Sequence, residues 1–307
     1  MESPLMQGVH DETLRKQIAA AINETDDDKL EHNKQLLEAW FRTQDHLPQD
    51  YDRRILTGFV RGCKHNLDVA KRKLDRYFTI RTTQTEFFQD RDPLSNEIQG
   101  MLNSIVIAPI SSLSPTGCRI IYFQFTSDVE AFDTVAVFKA ILMMSDIRII
   151  EEPMLRGDIF VWDLQHLTLK HITKIAGPPL KKIMQNAQEA YPQMLQEIHI
   201  VNCGQLADRA ADIVKLLMKP KMRNRFQFHA DATSLSSCFP PEFIPTEYGG
   251  SAPSIHDTFR SWQHKMSEYT EWFKQQQDVK TDETKRIIPI ESKENNMEGS
   301  FRKIAID

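Results

Sequence analysis

From Leu14 to about Arg81, apolar residues recur only at helical spacing. Leu37, Trp40 and Phe41 make one apolar face, and Ile55, Leu56, Phe59 and Val60 another, with a turn at Asp45-His46-Leu47-Pro48 between them. Leu67, Ala70, Leu74, Tyr77 and Phe78 then follow at spacings of three and four. Asn66 stands where an N-cap belongs, and Lys71, Arg72, Lys73 and Arg76 fall on the solvent side. After Asp92-Pro93 the pattern changes to apolar strands at 105–108, 120–125, 159–164, 198–201 and 226–229. Helices are predicted between them at 132–150, from Pro178-Pro179 onward, and over 205–218, spacings that suit parallel crossovers. A last helical stretch carries Phe259, Trp262, Met266, Tyr269 and Phe273. Past Gln275 the chain is polar, with only Ile287, Ile288, Ile290, Phe301, Ile304 and Ile306 able to dock it.

The pattern predicts an α/β fold with a helical unit over 1–90, a five-stranded, mostly parallel sheet domain over 91–275, and a polar tail over 276–307. With 307 residues, 40% of them hydrophobic, the chain can bury a sizeable core. Its net charge of −5 gives no general attraction to nucleic acid. Cys63, Cys118, Cys203 and Cys238 are scattered, so free thiols are expected and no metal ligand set is predicted. The segment 1–21 lacks the basic start and apolar run of a secretory signal, and no stretch approaches the length of a membrane span. A cytoplasmic monomer that meets membranes only peripherally is the expectation.

Three features carry candidate chemistry. In the helix over 132–150, Val135, Phe138, Leu142 and Ile149 form an apolar stripe that Ser145 interrupts; its hydroxyl either bonds its own helix carbonyl or anchors a ligand. A basic run, Lys215, Lys219, Lys221, Arg223 and Arg225, contains no acid, and reads as a solvated helix end or as a docking point for phosphates. Asp163, His166 and His171 lie close together, but no nucleophile elbow or phosphate loop accompanies them, so no enzyme, catalytic residue or cofactor is predicted. The faces formed by Leu180, Ile183, Met184, Ala187 and Tyr191, and by Leu206, Ala210, Ile213, Val214, Leu217 and Met218, fit either a core or a cavity wall.

Several segments, in order, resemble the CRAL-TRIO lipid-binding family. They are Ile55-Leu56-Thr57-Gly58-Phe59-Val60-Arg61 with Asn66-Leu67-Asp68-Val69-Ala70; Gly157-Asp158-Ile159-Phe160-Val161-Trp162-Asp163; Tyr191-Pro192; Ile198-His199-Ile200-Val201-Asn202; Phe228-His229; and Ile244-Pro245-Thr246-Glu247-Tyr248-Gly249-Gly250. The ending Glu298-Gly299-Ser300-Phe301-Arg302-Lys303 is similar to that of arthropod members. The resemblance implies a helical unit before an αβα sandwich, with a lipid cavity under a movable gate helix at 206–218. It implies a carrier of one small hydrophobic ligand of the tocopherol, retinoid or carotenoid kind, with a phospholipid or phosphoinositide exchange or presenting protein as the alternative. The ligand lining it implies is Phe138, Ile141, Ser145, Trp162, Leu169, Ile175, Ile183, Ala187, Leu195 and Ile198, with Leu206, Ala210, Ile213 and Leu217 from the gate. The phosphoinositide contacts it implies are Arg61, Lys221 and Arg225. Two further basic positions of the family are Met194 and Gln196 here.

Overall fold

The computed structural model describes residues 9, 11–152, 154–204 and 207–287, excepting the side chains of 27 and 207–209. The N-terminal helices are α1 (Glu12–Ala21), α2 (Asp27–Arg42), α3 (Ile55–Gly62), α4 (Leu67–Thr83), α5 (Thr85–Phe88) and α6 (Asn96–Met101). As its sequence predicts, Asn66 caps α4, accepting from the Val69 N–H at 3.1 Å. Then come β1 (Ile105–Leu113), β2 (Cys118–Phe125), α7 (Thr134–Glu151), β3 (Gly157–Asp163), α8 (Leu169–Ile175), α9 (Pro178–Glu189) and β4 (Leu195–Val201). The chain continues with α10 (Ala207–Leu216), α11 (Pro220–Arg223), β5 (Phe226–Phe228), α12 (Ile255–Glu268) and α13 (Thr270–Gln275).

The strands form one sheet in the order β1-β2-β3-β4-β5. β1 pairs antiparallel to β2 and all other pairs are parallel. Alternation along each strand gives the sheet two apolar faces. On one face, α12 buries Ile255, Phe259, Trp262 and Met266, and the Trp262 indole donates to the Pro109 carbonyl at 3.3 Å. Short three-ten turns complete that layer: the Tyr122 hydroxyl donates to the Phe243 carbonyl at 2.9 Å, and the Tyr248 hydroxyl to Asp163 at 2.8 Å. On the other face lie α7 and α9.

Residues on every side of α7 are buried, because it lies between the sheet and the N-terminal helices. Gly58 lets α3 approach it closely, since a Cβ there would sit 2.7 Å from the Ile149 carbonyl oxygen. At the centre of this contact Asp146, fully buried, receives Arg81 at 2.8 Å, Arg91 at 2.6 Å, the Tyr77 hydroxyl at 3.0 Å and the Tyr191 hydroxyl at 2.9 Å. Burial pushes the Asp146 pKa up, but Arg81 and Arg91 outweigh it and hold the carboxyl below its usual range. A single carboxylate thus joins α4, the 91 turn, α7 and the end of α9.

The stretch after Gln275 is docked as far as it is described. Arg286 donates to both Asp75 oxygens at 3.0 and 2.8 Å, and Thr82 and Thr281 pair through their hydroxyls at 2.9 Å. Ile287, expected to help dock the tail, is instead 88% exposed, so polar contacts hold this segment. Ile288, Ile290, Phe301, Ile304 and Ile306, and the ending 298–303, lie outside the described residues.

Asp146→Asn strands two buried guanidinium groups, and is expected to cost about 3–5 kcal/mol of unfolding free energy in urea titration. Because the native pKa of Asp146 is depressed, its contribution is complete above pH about 4 and is lost as pH falls further. The Asn variant should therefore show a smaller loss of stability on acidification than the parent chain.

Candidate ligand cavity

Between the sheet and α7, α9 and α10, side chains leave a cavity of about 310 Å³. Its floor is two rows of apolar residues running across the strands in register. One row is Pro109, Ile121, Phe160, Ile198 and Phe226; the other begins Ile107, Phe123, Trp162 and Ile200. Phe123 and Trp162 stack at 4.2 Å with planes 9° apart. Leu195 and Ile198 are three apart, which on a regular strand would put them on opposite faces. A register shift after the Asp158–Leu195 pair lets both reach the cavity.

The helices form the walls. Phe138, Ile141 and Ser145 project from α7, Ile183 and Ala187 from α9, Ile175 from the end of α8, and Ala210, Ala211, Ile213 and Val214 from α10. Of the residues implied by the family resemblance, the cavity wall therefore brings together Phe138, Ile141, Ser145, Trp162, Ile175, Ile183, Ala187, Leu195, Ile198, Ala210 and Ile213. Leu169 does not join them: it opens α8 and is 58% exposed. Leu217 is also absent from the wall; it follows the end of α10, and Met218 takes the cavity position. Leu206 lies outside the described residues. The wall also contains Met184, from the apolar face of α9 that the sequence offers as core or cavity wall, and Phe125, Phe132, Leu164, Leu167, Ile172 and Met222, which no sequence pattern assigns to a cavity. Period two along β2, ending at Phe125, was the available signal; the loop residues had none.

One end of the cavity is polar. The Ser145 hydroxyl makes no hydrogen bond among the described residues, so the alternative of a bond to its own helix carbonyl is not realised. Gln193 donates to the Ser145 carbonyl at 3.1 Å, while its own Oε1 is buried without a partner. Nearby Arg148 is committed elsewhere: it donates to Asp158 at 2.6 and 3.2 Å and to Glu152 at 2.7 Å. The cavity thus offers one hydroxyl and one amide oxygen, but no unpaired cation among its described lining residues.

The basic positions are spread around this end. Arg61 gives Nε and Nη2 to Glu24 at 2.8 and 2.7 Å, so it is a paired side chain. Burial raises the Glu24 pKa, but Arg61 and His65 more than reverse this and lower it. Lys221 and Arg225 form no ion pair among the described residues. Lys73, which the sequence placed merely on a solvent face, donates to the Tyr191 carbonyl and lies near Lys219 and Lys221. Its burial, and the neighbouring cations, lower its pKa. Met194 and Gln196 bring no charge to this region; the Gln196 amide donates to the Arg156 carbonyl at 3.2 Å. Lys215 packs over Phe226 and Phe228 at 5.2 and 4.9 Å.

Asp163, His166 and His171 do not assemble into an acid–base site. Asp163 accepts from Gln124, Tyr248, Asn202 and the Gln165 N–H at 2.7–2.9 Å. His171 forms a capping box with Thr168, and burial lowers its pKa. No described helix is long and apolar enough to cross a membrane.

Comparison with known proteins agrees with this architecture. Residues 106–250 match the CRAL/TRIO domain, and residues 26–98 the Pinta-like UBA domain. The mouse protein named alpha-tocopherol transfer protein-like is 26% identical over 71% of this chain and 63% of its own length. Rat clavesin-2 is 25% identical over 66% of this chain and 63% of its own length. The chain thus spans less than two thirds of the length of these relatives. The crystal structure of Sfh5 aligns with 88% of this chain and 99% of its own at 15% identity and a TM-score of 0.49, too slight a likeness to argue from. With the match spanning the sheet and the floor of the cavity, residues 106–250 belong to the CRAL/TRIO domain family.

Proposed function

We propose that this chain is a carrier that encloses one small hydrophobic lipid and releases it at a membrane. The observation that carries the reading is the cavity of about 310 Å³, walled mainly by apolar side chains, with Ser145 and Gln193 among its few polar groups. That size falls at the lower end of small-molecule pockets, about 300–1,000 Å³. A ligand with an apolar body and one hydroxyl or carbonyl fits this wall, its polar group meeting Ser145 and Gln193. A tocopherol- or retinoid-like isoprenoid has that shape, and the name of the mouse relative supports the former. Pairing of Arg148 with Asp158 and Glu152 disfavours a phosphate inside the cavity, which sets this reading above phospholipid exchange.

Release needs a gate. Burying a CH₂ group contributes about 0.8 kcal/mol, so a ligand with a dozen of them would leave slowly through an unopened wall. α10 is suited to this part. Ile213 and Val214 face the cavity yet are only half-buried, while Asp212 and Leu216 face outward. We infer that α10 swings out when its apolar side meets a bilayer, and that Lys221 and Arg225, with Lys219 beside them, meet anionic headgroups and orient the mouth. Protein in this role is a monomer in the cytoplasm with transient membrane contact.

Native mass spectrometry of detergent-free protein should find one neutral lipid per chain, and Ala187→Trp, which fills the cavity, should abolish it. A phospholipid would establish the exchange reading, and a bare chain would end the carrier reading. Ser145→Ala is expected to leave thermal stability unchanged, because its hydroxyl has no partner among the described residues, but to weaken a hydroxyl-bearing ligand by up to about tenfold in a fluorescence competition assay. In vesicle assays, Lys221→Glu with Arg225→Glu should slow transfer to anionic acceptors while leaving loading intact. Equal rates on neutral and anionic acceptors for parent and variant would remove the electrostatic part.

A further inference from the structure

On the sheet face away from the cavity, the fold assembles a group that no sequence spacing announces. His199 on β4 is buried, and its Nδ1 lies 3.0 Å from Nε2 of His229, just past β5, with the ring planes 7° apart. Cys238 ends the three-ten turn Ala232–Ser237, and the donor atoms of the three residues lie within 4.8 Å of one another. The other nitrogen of His199, Nε2, is 3.0 Å from a Glu197 oxygen, which Gln227 also bonds at 3.2 Å. A carboxylate only accepts, so the His199 proton belongs on Nε2 and its Nδ1 presents a lone pair. Burial lowers the pKa of both histidines, favouring the neutral rings that ligate metals.

We propose that His199, His229 and Cys238 bind a borderline transition-metal ion of the zinc class, with Glu197 as a positioning residue and the fourth position open to water. Two imidazoles and one thiolate suit such an ion. Bonds of about 2.0–2.1 Å to nitrogen and 2.3 Å to sulfur at tetrahedral angles place the donors about 3.3–3.6 Å apart. The histidine nitrogens must therefore spread by a few tenths of an ångström. His199 is fixed by the sheet, by Glu197 and by Phe239, whose ring centroid is 4.9 Å away, so His229 and the exposed Cys238 make the adjustment. On binding, the His229 proton moves to its Nδ1 and the Cys238 thiol loses one proton to solvent. The ion would then link β4, the end of β5 and the turn that follows, on the side of the sheet opposite the lipid.

Titration of the full chain with Co²⁺ under reducing, anaerobic conditions tests this. One equivalent should give the visible bands of a tetrahedral site and a near-ultraviolet thiolate charge-transfer band, both removed by Zn²⁺. Cys238→Ser should lose the charge-transfer band, and His229→Ala should lose stoichiometric binding, each with an unchanged far-ultraviolet circular dichroism spectrum. Glu197→Gln should keep the spectrum and weaken zinc by about 10–100-fold in chelator competition. No tetrahedral cobalt spectrum in the parent chain, or a thiolate band that persists in Cys238→Ser, would overturn the proposal.

Discussion

The structure depends on one constraint: an apolar sheet face that its own side chains do not finish covering. In-register rows from Pro109 to Phe226 and from Ile107 to Ile200 present large side chains to α7 and α9, yet about 310 Å³ stays unfilled between them. At about 24 cal/mol per Å³, unfilled apolar volume of that size costs about 7 kcal/mol, comparable to the whole stability of a domain at about 5–15 kcal/mol. A chain that maintains such a space gains by having it occupied. In the carrier proposed above, occupancy by an apolar molecule would be both a function and a contribution to the fold.

The rest of the molecule keeps that space open. α7 cannot collapse onto the sheet, because its other side is held by the N-terminal helices through Asp146, Arg81 and Arg91. Arg148, one turn beyond Ser145, is held by Glu152 and Asp158, and Glu152 also receives Arg119 from β2. These buried charges fix the spacing of helix and sheet, and they exhaust the cations that could otherwise draw a phosphate inward. On the far side of the cavity α10 has no comparable anchor among its described residues, and of its inward residues Ala210, Ile213 and Val214 are only half-buried. The anchored wall and the wall proposed as the gate thus lie on opposite sides of the cavity.

Much of the architecture was legible in the sequence, since period-two and helical patterns are local. All five strands, the capped α4, the Pro178 start of α9 and the helix carrying Ser145 follow from such patterns. The cavity was not legible by the same means, because a helix face packed on protein and one facing a lipid have the same periodicity. The family resemblance supplied that expectation, and the fold brings most of the implied lining into one wall. Leu169 fails because it begins its helix at the surface, and Leu217 because the helix ends before it. Leu195 reaches the wall only through a register shift, and the Asp146 cluster joins residues 55 and 65 positions apart. Neither leaves a mark in a local window. Gln193, whose buried oxygen helps define the polar end, was likewise invisible.

Hydrogen–deuterium exchange on the chain stripped of lipid by organic extraction, and on the same chain reloaded, addresses the central claim most directly. If a lipid completes the core, reloading slows exchange in α10 and in the strand segments beneath the cavity, with α12 on the opposite face unchanged. Identical exchange in the two states, with α10 as protected when stripped as when loaded, would contradict it.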